Sequence, residues 1–442
     1  MRRLAAAFLA GALCTWGQES SDLKQILERL EKLERENKVL REEVRELRTK
    51  LEGPTPLPTE PAKPSVEERL EIAERRVDEQ AQTKVEATEK FPLHLTGMAL
   101  FNTFAIMRHN AGNDYNTTAS LLPSRRNAAV SLKQSIIGLK FDGPKSVLGA
   151  KVSGNIFMDF WDGNLETAVL SPRIRTGALN MDWSSRSLRF GYEKPIFSPR
   201  EPNSLANVGV SPLTSAGNLW RWQPQVRFEQ RFTLAPSTTL KAQVGIMQTS
   251  DDLGSAFGAL VERRRPATQG RFELSHTFAN ERRIEIAPGF SFSQTHLRTN
   301  GQTIPSRLIS VDWLVAPFQY LELTGIFWSG QNIHHMGALR NGLRVLSNGT
   351  GIPVHSQGGW AQGSIPVTNR LTFNLMGGIH DDRNTDLAPG QVARNRQATG
   401  NIMFRIAPNV VLSFEAEHLR TLYLGLGTRI NQRYDMAIAY MF

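Results

Sequence analysis

The sequence predicts an all-β transmembrane barrel of about 16 antiparallel strands, preceded by an N-terminal α-helical coiled coil. Three observations carry this prediction. From Lys90 onward the pattern has period two, with large apolar residues opposing charged ones in strand after strand. Short turns alternate with mostly longer polar connections along the same stretch. Residues 21–52, by contrast, repeat apolar side chains at heptad spacing. No stretch beyond the N-terminus is long and apolar enough for a transmembrane helix, so a chain that crosses a membrane must do so as a closed barrel.

The start of the chain, Met1-Arg2-Arg3 and then the apolar run Leu4–Leu13, reads as a secretory signal over residues 1–17. Cleavage fits after Gly17 or at Cys14; a lipoprotein reading of Cys14 is disfavoured by Leu13, where small residues are usual. A mature chain without cysteine has no disulfide, so the compartment is read from the signal rather than from Cys usage.

In residues 21–52, Leu23, Ile26, Leu30, Leu33, Asn37, Leu40, Val44, Leu47 and Leu51 occupy alternating a and d positions. The g-to-e pairs Arg29–Glu34, Glu36–Arg41 and Glu43–Arg48 all join opposite charges, which favours parallel chains in register. A two-in-seven stripe needs a partner, so this segment predicts an oligomer. Asn37 at an a position leans toward a dimer, whereas Arg29-Leu30-Glu31-Lys32-Leu33-Glu34 resembles a signature of parallel trimers. A linker follows over 53–64, with Pro54, Pro56, Pro58, Pro61 and Pro64 making a stiff spacer. Ser65 with Glu68 is a capping box that opens a second helical segment over 65–89.

Residues 90–442 are the predicted barrel. Val226/Phe228/Phe232 oppose Arg227/Glu229/Arg231, Leu240/Ala242/Val244/Ile246 oppose Lys241/Gln243, and Val410/Leu412/Phe414 oppose Ser413/Glu415. In a soluble sandwich the charged face would meet water outside; in a barrel it lines a wet lumen. Connection lengths decide for the barrel. Short turns near 142–147, 184–187, 233–239, 279–281, 315–320, 366–370 and 407–409 alternate with longer segments, the longest marked by Pro195, Pro199, Pro202 and Pro212. That segment, 195–223, carries Arg200 and Arg221; folded inward, the favoured reading, it narrows the bore, whereas lying outside it would clasp a neighbouring protomer. Trp220 and Trp222 are expected in a membrane girdle, with Tyr440 and Phe442 at the other interface.

Charge points to the bore as well. The first 90 residues hold 17 basic and 19 acidic groups, leaving 35 basic and 23 acidic beyond them. The basic side chains are spread through alternating strands rather than gathered on a helix, which argues against nucleic acid as a partner. The pore-lining candidates by parity are Lys151, Arg189, Arg227, Arg231, Lys241, Arg271, Arg405 and Arg433. Arginines around a water-filled passage favour anions, and more than half of these are expected to pair with neighbouring carboxylates. No GxSxG, P-loop or HExxH is present, so the chain is not read as an enzyme, and no cofactor is expected. His334, His335 and His355 share one loop, where exposed histidines are commoner than a metal site.

The chain ends on Tyr434, Met436, Ile438, Tyr440 and Phe442 at every second position. This resembles the terminal signal by which outer-membrane barrels are recognised by the barrel-assembly machinery. These residues should face outer-membrane lipid and close the barrel against the first strand, near Leu93–His109. The small residues Ala437 and Ala439 on the opposite face imply that something packs against them from within.

Together the parts resemble the DcaP-like porins, related in look to the phosphate-selective porins. The local matches are Gln134-Ser135-Ile136-Ile137-Gly138-Leu139-Lys140-Phe141 with its Gly143-Pro144 turn, and Gly217-Asn218-Leu219-Trp220-Arg221-Trp222-Gln223-Pro224-Gln225-Val226-Arg227. The resemblance implies a homotrimer passing small anionic solutes such as carboxylates or phosphate, without a cofactor. The competing expectation is a structural barrel in the outer membrane of a Gram-negative-type cell, whose periplasmic stalk reaches peptidoglycan.

Overall fold

The computed structural model describes residues 93–442, apart from 112–113, 116, 144–147, 162–169, 249–260, 264–265, 279–281 and 340. The signal, coiled coil, linker and second helical segment all lie outside the described residues, as do the core positions Leu23 to Leu51.

The first strands are β1 (Leu93–Ile106), β2 in two pieces (Asn127–Ser131 and Ile136–Asp142), β3 (Lys151–Asp159) and β4 (Arg173–Asp182). Then come β5 (Arg186–Glu193), β6 (Gln223–Ala235), β7 (Thr238–Met247) and β8, again in two pieces (Val261–Arg263 and Ala267–Thr277). The third group is β9 (Arg283–Leu297), β10 (Thr303–Phe318), β11 (Leu321–Gln331) and β12 (His355–Pro366). The chain closes with β13 (Leu371–Asp382), β14 (Val392–Ala407), β15 (Val410–Tyr423) and β16 (Gly427–Met441). Because two strands are split, the 18 hydrogen-bonded segments make a closed antiparallel barrel of 16 strands.

Closure follows the alternation at the chain end. β16 pairs antiparallel with β1, from Met98↔Met441 to Ile106↔Arg433. Tyr434, Met436, Ile438, Tyr440 and Phe442 are all exposed on the outer wall, while Arg433, Asp435, Ala437 and Ala439 are buried inside. The same division runs round the barrel: Val226, Phe228, Val244, Ile246, Phe272, Leu274, Phe404 and Phe414 point outward and are exposed. Such a wall is stable only against an apolar solvent, since exposing it to water would forfeit roughly 25 cal/mol for each Å².

The breaks in two strands have a local purpose in one case. Between the pieces of β2, residues 132–135 turn away from the ladder and bury Gln134 completely within the barrel. The inner space is not empty of apolar groups either. Phe197, Leu213, Ala216 and Leu219 pack with Leu308, Ile326, Trp328, Trp360 and Met376 of β10–β13, and with Ile333 and Met336 from the β11–β12 connection. That connection also carries a small ribbon, Leu343–Val345 against Gly351–Pro353.

One expectation from the sequence is corrected here. Trp220 and Trp222 are not in a girdle: both are buried, with Trp220 Nε1 donating to Thr214 Oγ1 at 2.7 Å. They precede β6 in the inward-lying segment, where strand parity no longer governs direction.

Candidate functional site

Residues 194–222, between β5 and β6, lie inside the barrel and are held by hydrogen bonds to strands all around it. Gln134 is the anchor on one side: its Oε1 accepts from the backbone N–H of Val208 and of Gly209, and its Nε2 donates to Ala206 O at 2.7 Å. Asn102 of β1 donates to Leu205 O at 2.6 Å. Opposite, Asn203 N donates to Gln362 Oε1 of β12 at 2.6 Å, and Asn401 of β14 donates to Asn203 O at 2.7 Å. Asn207 donates to Glu417 of β15. Further along, Trp328 Nε1 of β11 donates to Gly217 O at 2.7 Å. Gly217 itself has φ +106°, and a Cβ there would strike the carbonyl of Gly359, so only glycine lets the segment lie this close to β12.

Small residues on the closing strand make room for this segment. Leu205 and Val208 pack onto Leu100, Ala437 and Ala439. The groups that pack from within against the two alanines are therefore these two side chains.

Charged residues of the bore form four sets. On β7–β10, Arg271 donates to Asp312 from Nε and Nη2, at 2.7 and 2.8 Å, and lies 2.6 Å from Glu273. Lys241 pairs with Glu273 at 2.7 Å, and Arg200 of the inner segment reaches Asp312 at 3.1 Å and also Glu285. On β16, Arg433 holds Asp435 and lies over the rings of Phe104 and Tyr115, 4.6 and 4.4 Å from their centroids. On β3 and β4, Arg173 and Arg175 both bind the buried Asp159, at 2.7 and 3.1 Å, and both stack on Trp222. On β5 and β6, Arg189 and Arg227 share Glu193, at 3.0 and 2.5 Å.

The sequence candidates are thus distributed as follows. Arg189, Arg227, Lys241, Arg271 and Arg433 carry the ion pairs just described. Arg231 pairs with Glu229 at 2.9 Å. Lys151 sits at the short-turn rim, 3.5 Å from Asp142. Arg405 is exposed near the same end of β14, with no acidic partner among the described residues. Arg221 is half-buried in the inner segment, its backbone N–H directed at Met336 O. Arg173, Arg175 and Asp312 were not singled out from the sequence. The signal for the first two was present in Arg173-Ile174-Arg175, an alternating triplet at what looked like the edge of a loop.

Elsewhere, His334 and His335 are buried with ring centroids 5.6 Å apart, and His355 pairs with Asp386 at 2.8 Å. Among the described residues no group of three or more His, Cys, Asp or Glu converges on a metal position.

A closed 16-stranded barrel, apolar outside and charged within, with the segment after its fifth strand folded into the bore, has the architecture of a porin. Among solved structures it resembles the outer-membrane channel DcaP of Acinetobacter baumannii, with a TM-score of 0.64 and 16% identity over 79% of this chain and 97% of that one. The fold is that of a DcaP-like porin. More distant likenesses are the anion-selective porin of Comamonas acidovorans, with a TM-score of 0.49 and 10% identity over 79% of this chain and 99% of that one, and OprB of Pseudomonas putida, with the same score and identity over 82% and 97%. No protein-family model and no curated protein matches the sequence.

Proposed function

We propose that the protein is an outer-membrane porin for passive diffusion of small, preferably anionic solutes such as carboxylates or phosphate. The observation that carries the anion preference is the two-to-one ratio of arginine to carboxylate at two neighbouring places in the bore. Arg173 and Arg175 share Asp159, and Arg189 and Arg227 share Glu193. One positive charge is therefore uncompensated at each place. Arg173 and Arg189 keep 29% and 39% of their side-chain surface accessible from the bore, so solutes can reach them. Guanidinium geometry suits carboxylate and phosphate oxygens in bidentate pairs. The apolar cluster against β10–β13 supports a passage confined to the side that bears these arginines.

Planar-bilayer recordings of the purified protein under a salt gradient test this reading. The wild type should show a reversal potential of anion-preferring sign, and Arg173→Ala with Arg189→Ala should move it toward the cation side. No conductance, or cation preference in the wild type, would overturn it. The heptad repeat over 21–52 supports a homotrimer joined by a periplasmic stalk. Deleting residues 21–90 should leave the barrel's conductance per pore unchanged and abolish trimers. Intact trimers with detachment of the envelope would favour the tethering role instead.

A further inference from the structure

The outer wall of the barrel carries a trough as well as the usual apolar side chains. Gly325, Ala361, Gly377 and Ala398 lie side by side in register across β11–β14, at one height. Trp313, opposite Gly325, closes one end, and His418, opposite Ala398, closes the other. The hollow has a volume of about 530 Å³. Part of its floor is not required by the chain itself. A Cβ on Gly377 would meet nothing nearer than 3.6 Å, and on Gly400, one row below, nothing nearer than 3.9 Å. Neither glycine has a positive φ. Glycine within a strand weakens it and commonly marks the close approach of a ligand or another backbone.

One row toward the long-connection end, Arg396 and Arg420 stand directly opposite each other on β14 and β15, and both are exposed. Like charges facing each other across a ladder repel. Neither has an acidic partner among the described residues. On β11–β15 Asp381 is the one outward-facing carboxylate among the described residues, and Arg394 already holds both its oxygens at 2.9 Å. A second copy of this wall would therefore bring no free carboxylate to the arginine pair, whereas an external anion would satisfy it. Below the pair on β14, the same face continues with Ile402, Phe404 and Ile406. The arginines thus stand at the outer edge of the apolar band, where the headgroups of an outer leaflet lie.

We propose that this trough and the Arg396–Arg420 pair bind a phosphorylated glycolipid of the outer leaflet. A phosphate is held by the two guanidinium groups, and an acyl chain lies in the trough between Trp313 and Gly377.

The test uses full-length protein stripped of lipid in detergent, incubated with diphosphoryl lipid A and read by native mass spectrometry. The wild type should retain one lipid A per barrel and bind a dephosphorylated lipid A at least ten-fold more weakly. Arg396→Gln with Arg420→Gln should weaken lipid A retention about ten-fold, and Gly377→Phe, which fills open space in the trough, should weaken both lipids alike. Heat-modifiable migration on gels confirms that the variants are folded. Equal binding of the two lipids by the wild type overturns the proposal without needing any variant. Variants that lose oligomers while retaining lipid A also overturn it, and would make the wall an interface between copies of the chain.

Discussion

Arg271 and Asp312, on strands separated by β9, form a two-pronged ion pair across the inner wall, each with a side chain 1% exposed. Asp312 also takes Arg200 of the inner segment, so one carboxylate ties three separate stretches of chain together. Removing one partner of a buried pair leaves the other charge uncompensated, at a cost of about 3–5 kcal/mol. Asp312→Ala should lower the temperature at which the barrel loses heat-modifiable migration. Arg271→Lys, which keeps the charge but not the fork, should lower it less.

The left-handed backbone at Gly217 gives a second outcome. Forcing φ +106° on a residue with a side chain costs on the order of 1–3 kcal/mol, and the new Cβ meets the carbonyl of Gly359. Gly217→Leu should free the segment from β12 while the wall itself stays closed. Single-channel recordings should show a changed, noisier conductance with the same number of pores per protein.

Neighbouring positions on the closing strand should respond in opposite ways. Ala437→Phe inserts bulk beneath Leu205 and Val208, overpacking that costs about 1–3 kcal/mol. It should alter conductance and leave membrane insertion intact. Met436→Lys faces the lipid, where a lysine costs up to about 2–4 kcal/mol, and should reduce the yield of folded barrel in vesicles.

A pH response is expected in the β13–β14 connection. Burial alone would raise the Asp386 carboxyl, but the His355 backbone and ring donate to it and hold it below the usual carboxylate range. A depressed carboxylate adds stability above its unfolded-state value, about 3.9, and loses it as pH falls through the lower folded value. Residues 383–391 should therefore stay protected at pH 5 and open only in stronger acid, as read by hydrogen exchange. Asp386→Asn should expose them already at neutral pH.

Much of this wall was legible in the residues because lipid and lumen impose period two. The closing strand could be placed face by face, and short turns located the strand ends. The lining was less legible. Ion pairs such as Arg173–Asp159 join strands through a fold-back that no local pattern records. Trp220 and Trp222 look like girdle residues by type, but the inner segment is set by hydrogen bonds to distant side chains such as Gln134 and Gln362. Glycines 377 and 400 read as strand weaknesses until the neighbouring strands show that their outward side is open.

The crossing of the bore by residues 194–222 has a consequence for the order of assembly. The segment is made before β6 yet rests on β14, β15 and β16, which are made last. Its contacts lie on both sides of the seam, with Asn102 and Leu100 on β1 and Ala437 and Ala439 on β16, so seating the segment and closing the seam are coupled. Where the segment passes, the last strand offers only the methyl groups of Ala437 and Ala439. The larger inward side chains of the same strand, Arg433 and Asp435, lie further along it, clear of Leu205 and Val208.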